Sequence, residues 1–239
     1  AVSDKHASDV ESVMRHRSKR KRRNTRSRGQ RACGYVIVWE EELQTMRTAR
    51  LTGSTGGLGY QIVQLLAENG WNLILLNRDP KQAAKQLEGL TASFPNQSFD
   101  SFIADMLDLE ELADAAESIA SAHPNITALF NIAGLLTDQR IVSAQGIEGH
   151  FAVNAVAPYF LLASLGQQLR ANATQEAPSF IVNFSTSAVN SVKSLDVDKL
   201  VNPEKIGGLL DAYAKTKSVL NVVTAFLKAE MYSDHVYIY

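Results

Sequence analysis

Cysteine is almost missing from this chain of 239 residues: Cys33 stands alone, so neither a disulfide framework nor an all-cysteine metal centre can be built. No apolar run approaches the roughly 18 residues that a membrane-spanning helix needs. The opening residues lack the charged-then-apolar pattern of a secretion leader, and a cytoplasmic location is the expectation. Histidine is sparse as well. His6, His16, His123, His150 and His235 are scattered without ligand spacing, and no metal is expected. There is no internal repeat. What remains is ordinary globular composition, 45% hydrophobic and 21% charged, with enough length to bury a core without staples.

The formal net charge of -1 conceals a division. Residues 1–45 carry 11 Lys/Arg against 6 Asp/Glu, whereas residues 46–239 carry 13 against 19. The positive excess sits in RHRSKRKRRNTRSRGQR, from Arg15 to Arg31. That run has no apolar periodicity and reads as a solvated, disordered or non-native extension. A nuclear-localisation or RNA-binding arm and an organelle-targeting peptide are the other readings, the last opposed by Asp4, Asp9 and Glu11. The stretch GYVIVWEEE after it is a strand or a chance cluster. An acidic balance in the remainder gives no electrostatic reason to expect nucleic acid there.

From Met46 onward, strand and helix patterns alternate, which predicts an α/β fold: a doubly wound parallel sheet with helices on both faces. Strands are expected at 47–52, 72–77, 98–105, 126–134 and 179–187, with a sixth beginning in HVYIY at 235–239. The first helix, 60–69, should turn Ile62, Val63, Leu65 and Leu66 inward and end at Gly70. Asp79 and Pro80 open the second as N-cap and first helical residue, and Asp108 caps a third that stops at His123-Pro124. The segment 146–173 is helical in pattern, with Pro158 kinking or dividing it. Residues 188–208 read as a long loop, a wall or lid, before a helix over about 209–231.

Three groups of residues carry chemistry. TGSTGGLG places Gly53, Gly57 and Gly59, with Thr55 and Leu58 between them, where a strand turns into a helix. One glycine permits the tight turn, another lets the backbone approach a pyrophosphate, and the last lets the helix lie close to the sheet. A flexible glycine turn is the bland alternative. At the end of the second strand, where an NAD site places a carboxylate for the ribose 2′-hydroxyl, the chain reads Asn77-Arg78. Arginine suits a 2′-phosphate, so NADP(H) is preferred over NAD(H), with Asp79 assigned to the helix cap. A solvated surface arginine is the alternative for Arg78. Finally, Tyr213 and Lys217 lie four apart on one helix face, about 6 Å along the axis. A tyrosine pKa near 10 is too high for efficient proton transfer at neutrality, and an adjacent ammonium should lower it. An ordinary core tyrosine with a solvent-facing lysine is the alternative.

Together these residues resemble the short-chain dehydrogenase/reductase family in its single-domain, Rossmann-like form of three layers. The resemblance runs from Arg47 to the C-terminus. Asp105, with Met106 beside it, matches the family's aspartate at adenine. NIAG, holding Asn131, Ala133 and Gly134, is similar to the N-N-A-G strand end, with Ile132 in place of the second asparagine. Asn154 matches the helix asparagine that supports the lysine through a water, IVNFSTS the active-site strand, and Tyr213 and Lys217 the catalytic pair. The wide gap between IVNFSTS and Tyr213, and LDVDKL within it, look most like the retinol-dehydrogenase-like branch. The family's serine position falls on Thr186, flanked by Ser185 and Ser187; Thr186 is favoured and Ser185 is next.

The resemblance implies a cofactor-dependent oxidoreductase that interconverts a carbonyl and an alcohol, with Tyr213 as proton donor or acceptor. It implies a small, lipophilic substrate and a homo-oligomer. It also implies that the chain lacks the segment after the sixth strand, and that residues 1–45 stand outside a domain spanning 46–239. A non-catalytic nucleotide-binding or scaffold protein of the same fold is the alternative.

Overall fold

The computed structural model describes residues 47–202 and 208–239; the basic run, the stretch GYVIVWEEE and residues 203–207 of the long loop lie outside the described residues. The described strands are β1 (Thr48–Thr52), β2 (Asn72–Asn77), β3 (Phe99–Ile103), β4 (Ile126–Asn131), β5 (Ser179–Asn183) and β6 (Val236–Ile238). They form one parallel sheet in the order β3-β2-β1-β4-β5-β6. The order reverses direction between β1 and β4. In such sheets the crevice beyond the strands' C-terminal ends at this reversal is the natural ligand position.

The helices are α1 (Gly57–Glu68), α2 (Pro80–Ser93), α3 (Leu109–Ala122), a composite α4, the short α5 (Asp198–Val201) and α6 (Leu209–Met231). Alternation along each strand sorts side chains to two cores. Ala49, Leu51, Leu73, Leu75, Ala128 and Phe130 face Ile62, Val63 and Leu66 of α1. Ile74, Leu76, Leu129 and Ile181 face α3 and α4, with Leu161, Leu162 and Leu165 prominent. This is the three-layer, doubly wound arrangement that the alternating pattern implies. No helix among the described residues is long and apolar enough to cross a membrane.

The caps follow the sequence reading. Asp79 accepts the N–H groups of Lys81 and Gln82 at 2.8 and 3.2 Å, and Asp108 does the same for Glu110 and Glu111. Both carboxyls are held below their ordinary pKa, Asp79 chiefly by those backbone N–H groups and Asp108 first by the Gln145 amide.

Several local expectations are corrected. Leu65 is 39% exposed, because at 100° per residue it falls outside the arc shared by Ile62, Val63 and Leu66; Ala67 completes that face. Gly146 is not helical but sits in a turn at φ 79°, and the helix starts at Gly149. Three pieces then make up α4: α-helical Gly149–Phe151, a π-helical turn Ala152–Val156, and α-helical Ala157–Ala171. Pro158 lies in the first turn of the last piece, where its missing N–H is tolerated. The sequence pattern also gave no warning about Arg50. It is fully buried, in register between Ile74 and Leu129, and none of its guanidinium nitrogens has a hydrogen-bond partner among the described residues. Desolvation pushes its pKa down to about 9.

Candidate active site

Because all six strands run the same way, the residues that follow them gather at one edge of the sheet. Gly53 follows β1, Arg78 follows β2, Asp105 lies just past β3, Ala133 and Gly134 past β4, and Ser185 to Ser187 past β5. The strand ends expected at 52 and 77 match, whereas those expected at 105, 134 and 187 are too long; the ladder stops at Ile103, Asn131 and Asn183, and the polar residues stand in the loops beyond.

The glycine turn is sterically specified. Gly53 adopts φ 69°, and a Cβ there would meet the Ala133 backbone at 2.8 Å. A Cβ on Gly59 would lie 2.0 Å from the Gly53 carbonyl oxygen, so helix α1 sits against the turn as only glycine allows. Gly57 is different: it is exposed with nothing within 4 Å of its Cβ position. Thr55 is exposed, whereas Leu58 turns inward against the core of Leu51 and Ile62. Gly56 caps α1 with no side-chain hydrogen bond, leaving the helix N-terminus open toward the crevice edge.

Two residues that the sequence reading passed over fix this region. Thr52 Oγ1 accepts the N–H groups of Ile132 and Ala133 at 3.1 and 3.2 Å, joining the ends of β1 and β4. Ser54, fully buried, has its Oγ 2.7 Å from Asn77 Oδ1 and 2.8 Å from Gln86 Oε1, while Gln86 Nε2 donates to the Ser54 carbonyl at 2.9 Å. The glycine turn, the end of β2 and helix α2 are thereby tied together directly beside exposed Arg78. Asp105 accepts the N–H of Leu107 at 2.9 Å, and Met106 is half-buried against the second core. Asn131 is 1% exposed; its Nδ2 donates to Asn183 Oδ1 at 2.8 Å, bracing β4 against β5, while its Oδ1 is buried without a partner among the described residues. Ala133 and Gly134 follow at the surface of this strand end.

Helices α4 and α6 bring the remaining residues in. Asn154 is completely buried. Its Oδ1 accepts the Leu135 N–H at 2.8 Å, and its Nδ2 donates to the Leu135 carbonyl at 2.9 Å and to Thr216 Oγ1 at 3.2 Å. Thr216 in turn donates to the Tyr213 carbonyl at 3.0 Å. Both amide protons of Asn154 are engaged, so its carboxamide is a strut. Asn154 lies within the π-helical turn Ala152–Val156, just ahead of Pro158, which has no N–H to give back to the helix. Lys217, 2% exposed, donates from Nζ to the Phe184 carbonyl at 2.7 Å. A Cβ on Gly134 would lie 3.3 Å from Asn154 Oδ1 and 3.8 Å from Lys217 Nζ, so β4, α4 and α6 converge at this point.

The electrostatics depart from the sequence expectation. Burial lowers the Lys217 pKa to about 8, and burial raises that of half-buried Tyr213 above its ordinary value. The lysine does not pull the phenol down here; desolvation of both groups dominates. Of the three hydroxyls after β5, Ser185 Oγ is buried without a partner among the described residues. Thr186 Oγ1 accepts the Ala188 N–H at 3.2 Å, which leaves its own proton available to donate, and Ser187 is exposed.

A family model described as short chain dehydrogenase matches residues 47–195. The short-chain dehydrogenase/reductase prx1 of Penicillium rubens is 28% identical over 187 residues, covering 78% of this chain and 52% of that protein. Human retinol dehydrogenase 13 is 28% identical over 188 residues, covering 77% of this chain and 54% of its own length. The chain thus spans about half the length of the curated relatives it matches. Among solved structures, the NADP active-site complex of Pseudomonas aeruginosa RhlG aligns with a TM-score of 0.65 at 23% identity, over 80% of this chain and 69% of that one. At that identity the likeness concerns the fold.

Proposed function

The chain belongs to the short-chain dehydrogenase/reductase family, and on that premise we propose that it is an NADP(H)-dependent oxidoreductase interconverting a carbonyl and an alcohol. The observation that carries the reading is the meeting of Gly134, Asn154 and buried Lys217 beyond β4 and β5, one helical turn from Tyr213.

The residues at the sheet edge fit a dinucleotide. Gly57 offers bare backbone with open space above it, and the N-terminus of α1 presents N–H groups suited to phosphate. Arg78 is exposed at the end of β2, and Asp79, the nearest carboxylate in sequence, is engaged in capping α2. These features favour a 2′-phosphate over a free 2′-hydroxyl. Gly53, Thr55, Gly57, Leu58 and Gly59 would form the phosphate turn, with Asp105 and Met106 at the adenine and Ala133 and Gly134 at the ribose. Such a cofactor supplies the hydride in reduction and accepts it in oxidation.

The chain's own residues would handle orientation and the proton. Tyr213 keeps its proton at neutral pH, as burial dictates, and donates it to the nascent alkoxide in reduction. Lys217, once its Nζ faces the phenolate that forms, stabilises that charge. Thr186 orients the substrate oxygen with its free hydroxyl proton, Ser185 being the other candidate. Asn154 holds Leu135 and Thr216 through its carboxamide and would support a proton relay beside Lys217. The exposed apolar side chains Leu136 and Val142, on the loop after β4, and Val201, at the end of α5, suit a lipophilic substrate.

The test is oxidation of NADPH by the chain against a panel of aldehydes and ketones, with NADH in parallel. Turnover favouring NADPH is expected, and the preference should collapse in Arg78→Ala. A second reading, a nucleotide-binding protein without turnover, is favoured by two observations: the Lys217 ammonium bonds to the Phe184 carbonyl, and burial raises the Tyr213 pKa. Tight NADPH binding without turnover on any panel member would select it.

A further inference from the structure

Two deeply buried polar side chains take no part in the chemistry above. Glu148 and His150, 3% and 0% exposed, stand at the start of α4. Glu148 Oε2 accepts the Phe151 N–H at 3.0 Å, and its Oε1 lies 2.8 Å from His150 Nδ1. On the far side of the ring, Nε2 accepts the backbone N–H of Thr137 at 3.2 Å. Only an unprotonated ring nitrogen accepts an N–H, so the proton sits on Nδ1 and is donated to Glu148. The imidazole thereby transmits a fixed carboxylate to a single amide in the loop after β4.

His150 and Asn154 are four residues apart on one side of α4. Asn154 grips Leu135 with two hydrogen bonds, and His150 grips Thr137 with one. The contact between helix and loop is close as well: Gly149 donates its N–H to the Ile141 carbonyl at 2.8 Å, and a Cβ on Gly149 would meet Ile141 at 3.0 Å and Leu135 at 3.1 Å. The Glu148 N–H donates to the Val201 carbonyl at 2.7 Å, which ties the loop after β5 to the same point. Between the two gripped residues, Leu136 is 50% exposed. The ribbon starts from Gly134, beside Lys217 and Asn154.

We propose that His150 and Glu148 are positioning residues that hold the ribbon 135–137, with Leu136 at its crest, as a fixed wall for the carbonyl substrate. This rests on the oxidoreductase reading. The pair acts through the ribbon and touches neither substrate nor cofactor. Loosening it therefore weakens substrate binding while leaving the glycine turn intact.

The experiment compares the full chain with His150→Phe, which keeps a ring but loses both hydrogen bonds, and with His150→Gln, whose amide restores an acceptor. Hydrogen exchange read by mass spectrometry needs no substrate. The segment 135–142 should exchange at least about fivefold faster in His150→Phe, with 53–60 unchanged and His150→Gln intermediate. With NADPH and the carbonyl compound that the unaltered chain turns over fastest, KM for that compound should rise about tenfold. In the same variant, kcat and the Kd for NADPH should stay within about twofold, and His150→Gln should recover part of the loss. If His150→Phe does not fold, Thr137→Pro removes the donor instead. Unchanged exchange at 135–142 overturns the proposal, as does a parallel rise in substrate KM and NADPH Kd. If the loop responds but the unaltered chain turns over no carbonyl compound, the oxidoreductase reading falls and the His150–Thr137 tie stands as a structural clamp.

Discussion

Lys217 Nζ donates to the carbonyl of Phe184 at 2.7 Å, mooring α6 to the end of β5 at the point where β4 also arrives. Burial lowers the proton affinity of this amine and raises that of Tyr213 one turn earlier. The phenol is thus the firmer proton holder of the two. The buried ammonium also costs stability, and the pH window follows from the shift. With a folded pKa of about 8 against an ordinary 10.5, the unfolded chain binds the proton more tightly between those values. Stability should climb as pH rises from about 8 to about 10.5, and the full cost should persist below about 8. Lys217→Met should therefore be more stable at pH 7 by about 1–3 kcal/mol, a gain that shrinks toward pH 10.5 in urea melts.

Arg50 makes a larger case of the same kind. Its guanidinium lies among Ile74 and Leu129 without a partner among the described residues. Arg50→Leu should stabilise the fold by about 2–4 kcal/mol and raise Tm by roughly 5–15 °C at pH 7. Above about pH 9, where the buried group can lose its proton, the advantage should narrow. Calorimetry at the two pH values checks both statements.

The glycines of the turn should separate by role. Gly59→Ala places a methyl 2.0 Å from the Gly53 carbonyl and should cost more than about 3 kcal/mol or prevent folding. Gly57→Ala meets no protein atom, so Tm should move by no more than a few degrees. On the proposed placement of the cofactor its methyl would stand where the pyrophosphate approaches, and NADPH affinity should drop about tenfold or more by fluorescence titration. Equal effects on folding from the two substitutions would contradict the division.

Thr216 joins Asn154 to the Tyr213 carbonyl through one hydroxyl. Thr216→Val keeps the shape and removes both hydrogen bonds, leaving one Asn154 amide proton without an acceptor. Unfolding free energy should fall by about 1–2 kcal/mol, measured in urea.

Much of this was legible in the sequence, and the reasons differ by element. The strand-turn-helix at TGSTGGLG, the caps Asp79 and Asp108 and the helix Leu209–Met231 are local, so periodicity and capping chemistry find them. The gathering of Gly53, Arg78, Asp105, Gly134 and Thr186 follows from a parallel sheet alone. Long-range hydrogen bonding does not show in a sequence. Nothing local marks Thr52 as a brace for Ile132, Gln86 as a clamp on Ser54, or Asn131 as a tie to Asn183. Thr216 had one local clue, a β-branched hydroxyl inside a helix beside the Tyr-Lys pair. Arg50 ran against the pattern altogether, and strand alternation would have placed an apolar residue there. The direction of the Tyr213 shift was misjudged because spacing reports proximity along a helix but not how deeply both groups are buried.

The central claim is that the Tyr213 phenol delivers the proton in a carbonyl reduction, and a single-turnover comparison of the unaltered chain with Tyr213→Phe tests it most directly. With NADPH bound and a carbonyl compound that the unaltered chain reduces, the variant should bind NADPH within about twofold of normal and lose about a thousandfold or more of the reduction rate. Reduction at an undiminished rate in Tyr213→Phe would contradict it.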